Sequence, residues 1–136
     1  MRELIIGGAR SGKSLLAERR AGECGLRVIY VATALALDAE MSRRIEHHKA
    51  RRSPDWGLVV EPLELPVALR RHAASDVCLL VDCLTVWLSN LLFAGDAASQ
   101  AEAGEAIGCR RLAGATQALV ELLPELPGRI ILVSNE

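Results

Sequence analysis

The chain has 136 residues, 51% of them hydrophobic, 24% charged and 3% aromatic, which is the composition of a globular domain with a core. A formal net charge of −1 argues against a general nucleic-acid binder, which needs a basic face, and so few aromatics argue against a base-stacking platform. The most apolar stretch, Val77 to Phe93, is interrupted by Asp82, Thr85, Ser89 and Asn90, so it does not read as a membrane span.

Leu4-Ile5-Ile6 opens the chain as a short apolar run and predicts a buried strand. Directly after it stands Gly7-Gly8-Ala9-Arg10-Ser11-Gly12-Lys13-Ser14, which fills every fixed position of the phosphate-binding pattern G-x-x-x-x-G-K-[ST]. Glycines let the backbone curl so that successive N–H groups point at phosphate oxygens. The lysine reaches the β- and γ-phosphates, and the serine hydroxyl can hold Mg²⁺. Ser14 to Ala21 reads as a helix that aims its positive N-terminus at the anion. Val28 to Ala32 is a second buried strand, and Ala39 to Arg51 a helix with Met41, Ile45 and His48 on one stripe, ended by Ser53-Pro54-Asp55. Leu58 to Val60 reads as a short strand and Pro66 to His72 as a short helix. Val77 to Val81 is a third long strand, ending at Asp82; Leu84 to Phe93 follows as a helix and Ala94 to Ser99 as a loop of small residues. Glu102 to Leu122 is a long amphipathic helix stopped by Pro124 and Pro127, and Arg129 to Val133 a last buried strand.

Strands that are continuous apolar runs, alternating with helices, predict an α/β fold with a mostly parallel sheet covered by helices on both faces. With the phosphate loop between the first strand and helix, this is the P-loop NTPase class, RecA-like. Neither repeat nor linker divides residues 1–136, so one P-loop nucleotide-binding domain is expected. Ser134-Asn135-Glu136 follow the last strand with no helix returning over the sheet, and the domain is expected to lack its C-terminal segment. The chain opens on a strand without a signal peptide, and Cys24, Cys78, Cys83 and Cys109 show neither a C-x-x-C nor a metal-site spacing. They read as small buried hydrophobes in a reducing, cytoplasmic setting.

Two further features carry chemistry. Asp82 ends an apolar strand, the arrangement that holds Mg²⁺ through water beside the P-loop serine, so Ser14 and Asp82 are the candidate metal site. Thr85 adds a polar group nearby, as a helix-start threonine also would. The segment from Glu40 to Trp56 packs His47 and His48 among Arg43, Arg44, Lys49, Arg51 and Arg52. On a helix Arg44, His48 and Arg51 share a face that attracts polyphosphate. A neutral imidazole beside cations can attack phosphorus and form a phosphoramidate. On residue pattern alone, a solvated basic helix with structural histidines is the favoured reading.

The joint pattern goes further. The glycine-rich loop is followed by Tyr30-Val31-Ala32-Thr33, Asp38, Glu40-Met41, Arg44-Ile45, His48, Arg52 and Trp56, then by Leu79 to Thr85, Asn90 to Phe93, and Val133 to Glu136. Over essentially the whole chain it resembles the bifunctional adenosylcobinamide kinase / adenosylcobinamide-phosphate guanylyltransferase family of cobalamin (vitamin B12) biosynthesis. The resemblance implies two reactions. A nucleoside triphosphate phosphorylates the aminopropanol hydroxyl of adenosylcobinamide, and GTP then transfers GMP to adenosylcobinamide phosphate to give adenosylcobinamide-GDP. It implies a covalent GMP–histidine, which the R-I-x-x-H pattern maps onto His48, with the adjacent His47 as the alternative, and Lys13 as the other catalytic residue. Nucleotide contacts carry over to Gly7, Gly8, Ala9, Arg10, Ser11, Gly12, Lys13 and Ser14. They carry over also to Ala32, Thr33, Ala34, Lys49, Ala50, Arg51, Arg52 and Asp82. GTP, ATP and Mg²⁺ are the implied cofactors, and a homo-oligomer the implied assembly, with no nucleic acid and no membrane span. Relatives place a glutamate four residues after the tryptophan; here Val60 stands there and Glu61 one later, so the glutamate contact is assigned to Glu61 with a shift of register. Two alternatives stay open on the sequence: a plain small-molecule P-loop kinase, and a non-enzymatic nucleotide-dependent binding module. The absence of N-K-x-D counts against a GTPase switch.

Overall fold

The computed structural model describes residues 2–8, 12–34, 43, 46, 54–93 and 101–135, with side chains omitted at 93 and 101–111. Among them, five strands form one sheet: β1 (Arg2–Gly7), β2 (Arg27–Ala32), β3 (Gly57–Val60), β4 (Val77–Asp82) and β5 (Arg129–Asn135). Every pair is parallel, and the order across the sheet is β1-β5-β4-β2-β3. The α/β P-loop NTPase-like expectation is met. The connecting helices are α1 (Lys13–Glu23), α2 (Leu65–His72), α3 (Leu84–Phe93) and α4 (Ala101–Leu122), the last followed by a 3₁₀ turn at Leu123–Glu125. No helix among the described residues is long and apolar enough to cross a membrane.

Strand periodicity sorts the core into two layers. Val77, Leu79 and Val81 of β4 face the layer packed by α2, α3 and α4, with Leu65, Leu69, Trp87 and Leu119. Cys78 and Leu80 face the other layer, where Ala17 and Ala21 bring α1 close against Tyr30, Ile131 and Val133. The small side chains of α1 let its backbone approach the sheet. This fixes which face the phosphate loop serves, because α1 carries the loop's end.

Two expectations are corrected at the sheet's margins. Leu4-Ile5-Ile6 forms β1 as expected, but Leu4 is 54% and Ile6 57% exposed, so that strand is not buried on both faces. Both point toward the side packed by α2 to α4, whose described helices cover β5, β4 and β2 but leave β1 open on that face. At the other margin Leu58 and Val60 of β3 are likewise exposed. The predicted helix from Ala39 to Arg51 lies outside the described residues except Arg43 and Glu46, both helical and exposed.

Candidate active site

Carboxyl ends of the strands line up along one edge. Ala32 is level with Asp82, and Asp82 with Val133; Val133 pairs Ile5, and Gly7 pairs Asn135. The end of the phosphate loop and the strand-end aspartate therefore meet at this edge, with the tip of β5 between them. Such a crevice is where open parallel sheets bind ligands.

Gly12 joins loop to helix with φ of +84°, a left-handed conformation that glycine adopts without steric cost. It caps α1 without a side chain, and its carbonyl accepts the first helical bond from Leu16 N at 2.9 Å. Amides of the first turn lack intrahelical acceptors, and no acidic side chain in that turn competes for them. The helix end is thus arranged for an anion. Lys13 Nζ donates to Gly8 O at 3.0 Å, so the loop backbone holds the ammonium at its own mouth. Gly7 and Gly8 are half-buried at the end of β1, whereas Ala9, Arg10 and Ser11 lie outside the described residues.

Ser14 Oγ lies 3.5 Å from Asp82 Oδ2, at the outer limit of hydrogen bonding. The same oxygen accepts a hydrogen bond of 2.6 Å from the Tyr30 hydroxyl. Period two places Tyr30, Leu80 and Asp82 on the α1 face. A serine hydroxyl and a carboxylate are hard oxygen donors that suit Mg²⁺. Among the described residues no group of three or more His, Cys, Asp and Glu could hold a metal ion. The pair therefore fits a Mg²⁺ that takes its remaining ligands from phosphate and water, the usual arrangement for this ion.

The Ala32-Thr33-Ala34 segment adjoins Asp82 through its backbone. Thr33 is fully buried. Its amide donates to Asp82 O at 3.2 Å, while its hydroxyl accepts from Cys83 N at 2.9 Å and donates to Cys83 O at 2.7 Å. Thr33 thus clamps the cis peptide joining Asp82 to Cys83, with its hydroxyl already engaged. Asn90 Nδ2 holds the same corner, donating to Thr33 O at 2.9 Å and Pro62 O at 3.0 Å. Glu61 reaches the site through its amide, which donates to Ala32 O at 2.9 Å. Its carboxylate instead accepts from Leu63 N at 3.2 Å and Glu64 N at 3.0 Å, where the chain turns into α2. His47, His48, Lys49, Ala50, Arg51 and Arg52 lie outside the described residues.

Residue reasoning missed Tyr30 and Asn90 as parts of this edge, and left Thr85 as a helix-start threonine. Thr85 Oγ1 accepts from Asn135 N at 2.7 Å and lies 3.2 Å from Ser134 Oγ, tying α3 to the tip of β5. Tyr30 had one usable signal: two residues before its strand's end, it shares the parity of a strand-end aspartate on a neighbouring strand. Cys78 and Cys83 are buried, as expected of small hydrophobes, whereas Cys24 is half-buried and the Cys109 side chain lies outside the described residues. Burial pushes Cys78 up to about 12, with the adjacent Cys24 adding to the shift. Burial likewise raises Cys83. Such thiols are not nucleophiles near neutrality.

Residues 3–136 match the family model described as cobinamide kinase / cobinamide phosphate guanyltransferase. The chain is 57% identical over 136 residues to the bifunctional adenosylcobalamin biosynthesis protein CobP of Pseudomonas aeruginosa, covering all of this chain and 72% of that protein. It is 35% identical over 134 residues to the bifunctional adenosylcobalamin biosynthesis protein CobU of Salmonella typhimurium, covering 98% of this chain and 74% of that one. A third relative, the Escherichia coli protein of the same name, is 34% identical over 135 residues.

Proposed function

The chain belongs to the cobinamide kinase / cobinamide phosphate guanyltransferase family, and from that premise we propose how its residues divide two transfers between them. It is a bifunctional enzyme of adenosylcobalamin biosynthesis, a kinase and a guanylyltransferase. The observation that carries the residue-level reading is the meeting of Ser14 with Asp82, 3.5 Å apart, at the open end of the phosphate loop.

In the kinase transfer, the hydroxyl of adenosylcobinamide attacks the γ-phosphorus of ATP or GTP. A new O–P bond forms, the bridging bond to the β-phosphate breaks, and the hydroxyl proton leaves to solvent. The α1 N-terminal amides and the Lys13 ammonium stabilise the charge that builds on the departing diphosphate. Ser14 and, through water, Asp82 would hold Mg²⁺, which supplies further neutralisation of the phosphate oxygens.

In the guanylyl transfer, a ring nitrogen of His48 attacks the α-phosphorus of GTP. The N–P bond forms as the α–β bridge breaks, and pyrophosphate departs toward Lys13. A phosphate oxygen of adenosylcobinamide phosphate then attacks the same phosphorus, breaking N–P and restoring the imidazole. Splitting one transfer into two is the advantage of a covalent intermediate. The R-I-x-x-H pattern at Arg44 to His48 supports this assignment.

The test is covalent trapping. With Mg²⁺ and GTP labelled at the α-phosphate, the denatured chain is expected to retain acid-labile, alkali-stable label, and His48→Ala to lose it while His47→Ala keeps it. Label lost only in His47→Ala would move the nucleophile by one residue. Label that survives in both variants would refute a histidine intermediate at this segment.

A further inference from the structure

We propose that Tyr30 is a positioning residue for the metal–nucleotide site, holding the Asp82 carboxylate in the orientation that receives a metal-bound water. The inference rests on the reading of Asp82 as a metal partner. Tyr30 is 5% exposed, with its ring packed in the α1-side layer. Its hydroxyl reaches Asp82 Oδ2 at 2.6 Å, whereas Ser14 reaches the same oxygen only at 3.5 Å.

A strand-end carboxylate turns freely about its last two torsions unless something fixes it. Here α1 supplies the weaker contact and β2 the stronger one. Tyr30 sits level with Leu80, two residues before the level of Asp82. That offset suits the length of a tyrosine, whose ring spans one pleat to place the hydroxyl at the strand end. Phenol as donor and carboxylate as acceptor make a charge-assisted bond, about twice as strong as a neutral one. With Oδ2 held from the sheet side, Oδ1 is the oxygen left for the metal's water. A buried, rigid ring also keeps that orientation before nucleotide arrives, so ordering the carboxylate is not charged against binding.

The measurement is Mn²⁺ affinity by electron paramagnetic resonance in the presence of the α,β-methylene analogue of GTP, which cannot transfer GMP. Four chains are compared: wild type, Tyr30→Phe, Asp82→Ala and the double variant. Tyr30→Phe is expected to weaken Mn²⁺ binding roughly tenfold, the size of one hydrogen bond to a charged group. Adding it to Asp82→Ala is expected to change nothing more, because Tyr30 acts through Asp82. If Asp82→Ala weakens Mn²⁺ but Tyr30→Phe stays within twofold of wild type, the role of Tyr30 falls and that of Asp82 stands. If Asp82→Ala binds Mn²⁺ as wild type does, the metal reading of Asp82 falls, and this inference with it. An undiminished Tyr30→Phe loss in the Asp82→Ala background would show that the ring acts elsewhere, and overturn it.

Tyr30 is the chain's single tyrosine, so biosynthetic 3-fluorotyrosine labels that site alone and keeps the ring should Tyr30→Phe not fold. Its fluorine resonance is expected to move when Mg²⁺ joins the bound analogue, and to stay still in Asp82→Ala. A resonance indifferent to Mg²⁺, or one moving equally in both chains, refutes the proposal.

Discussion

Thr33 shows how much one side chain organises at the sheet edge. It is wholly buried, and its hydroxyl answers both the N–H and the C=O of Cys83, the residue after the candidate metal aspartate. Valine matches threonine in shape but offers neither donor nor acceptor. Thr33→Val would leave the buried Cys83 N–H unpaired, at about 1–3 kcal/mol, and remove one of two hydrogen bonds to Cys83 O, to which Trp87 N still donates, at about 1 kcal/mol. The expected result in urea unfolding is a loss of about 2–4 kcal/mol, against about 1 kcal/mol for Thr33→Ser, which drops one methylene-sized group and keeps the hydroxyl. Equal losses in the two variants would remove the hydroxyl from the account. Sequence pattern pointed to Ala32-Thr33-Ala34 as a nucleotide contact through family resemblance, and to Asp82 through its place at a strand's end. It could not show that Thr33 reaches Cys83, because the contact spans fifty positions and depends on β2 lying beside β4.

At the level of elements, the tightest junction is the approach to β5. Gly128 has φ of +77°, and a Cβ there would meet Ala74 O at 2.2 Å and Val77 O at 2.4 Å, the backbone leading into β4. Its carbonyl accepts from Arg2 Nη1 at 2.9 Å. Gly25, between α1 and β2, has a nearly identical φ of +79°, but a Cβ there would meet nothing within 4 Å. The pair separates conformational cost from steric cost. Gly25→Ala is expected to lose about 1 kcal/mol, the left-handed penalty alone. Gly128→Ala adds a clash with backbone that cannot swing aside, and is expected to lose about 3 kcal/mol or more in chemical denaturation. Similar losses at both glycines would mean that the chain around Gly128 opens easily. The elements themselves were legible because each strand is a short apolar run and each helix has its own period. The margins were not: Leu4 and Ile6 read as core, Leu58 and Val60 only as a short strand, and a run of apolar residues carries no record of which strand stands at the end of the sheet.

For the molecule as a whole, the order of strands places the phosphate loop on β1, which has β5 as its single partner among the described strands. Polar ties compensate for that marginal position. Arg2 donates to the carbonyls of Leu123, Leu126 and Gly128, fastening β1 to the turn after α4. Glu3 receives Arg20 from α1 on one carboxylate oxygen and Arg129 from β5 on the other. One carboxylate thus joins the loop's strand, the loop's helix and the neighbouring strand. Hydrogen bonds from Arg20 and then Arg129 hold its carboxyl below the ordinary value of 4.5. A carboxylate whose folded pKa is depressed contributes stability in full above its unfolded value, and loses it as pH falls through the folded value. Arg20 is 45% exposed, so solvent screening limits the total to about 1 kcal/mol. Glu3→Gln is therefore expected to unfold about 1 kcal/mol more easily than wild type at neutral pH. The gap should stay level down to about pH 5.5 and close as the solution is acidified further. Urea midpoints measured across that range give the comparison. A gap that persists unchanged far below the ordinary carboxylate range would show that Glu3 serves β1 by packing rather than by charge. A gap that closes would show that the strand bearing the phosphate loop is held by an ion pair shared among three elements.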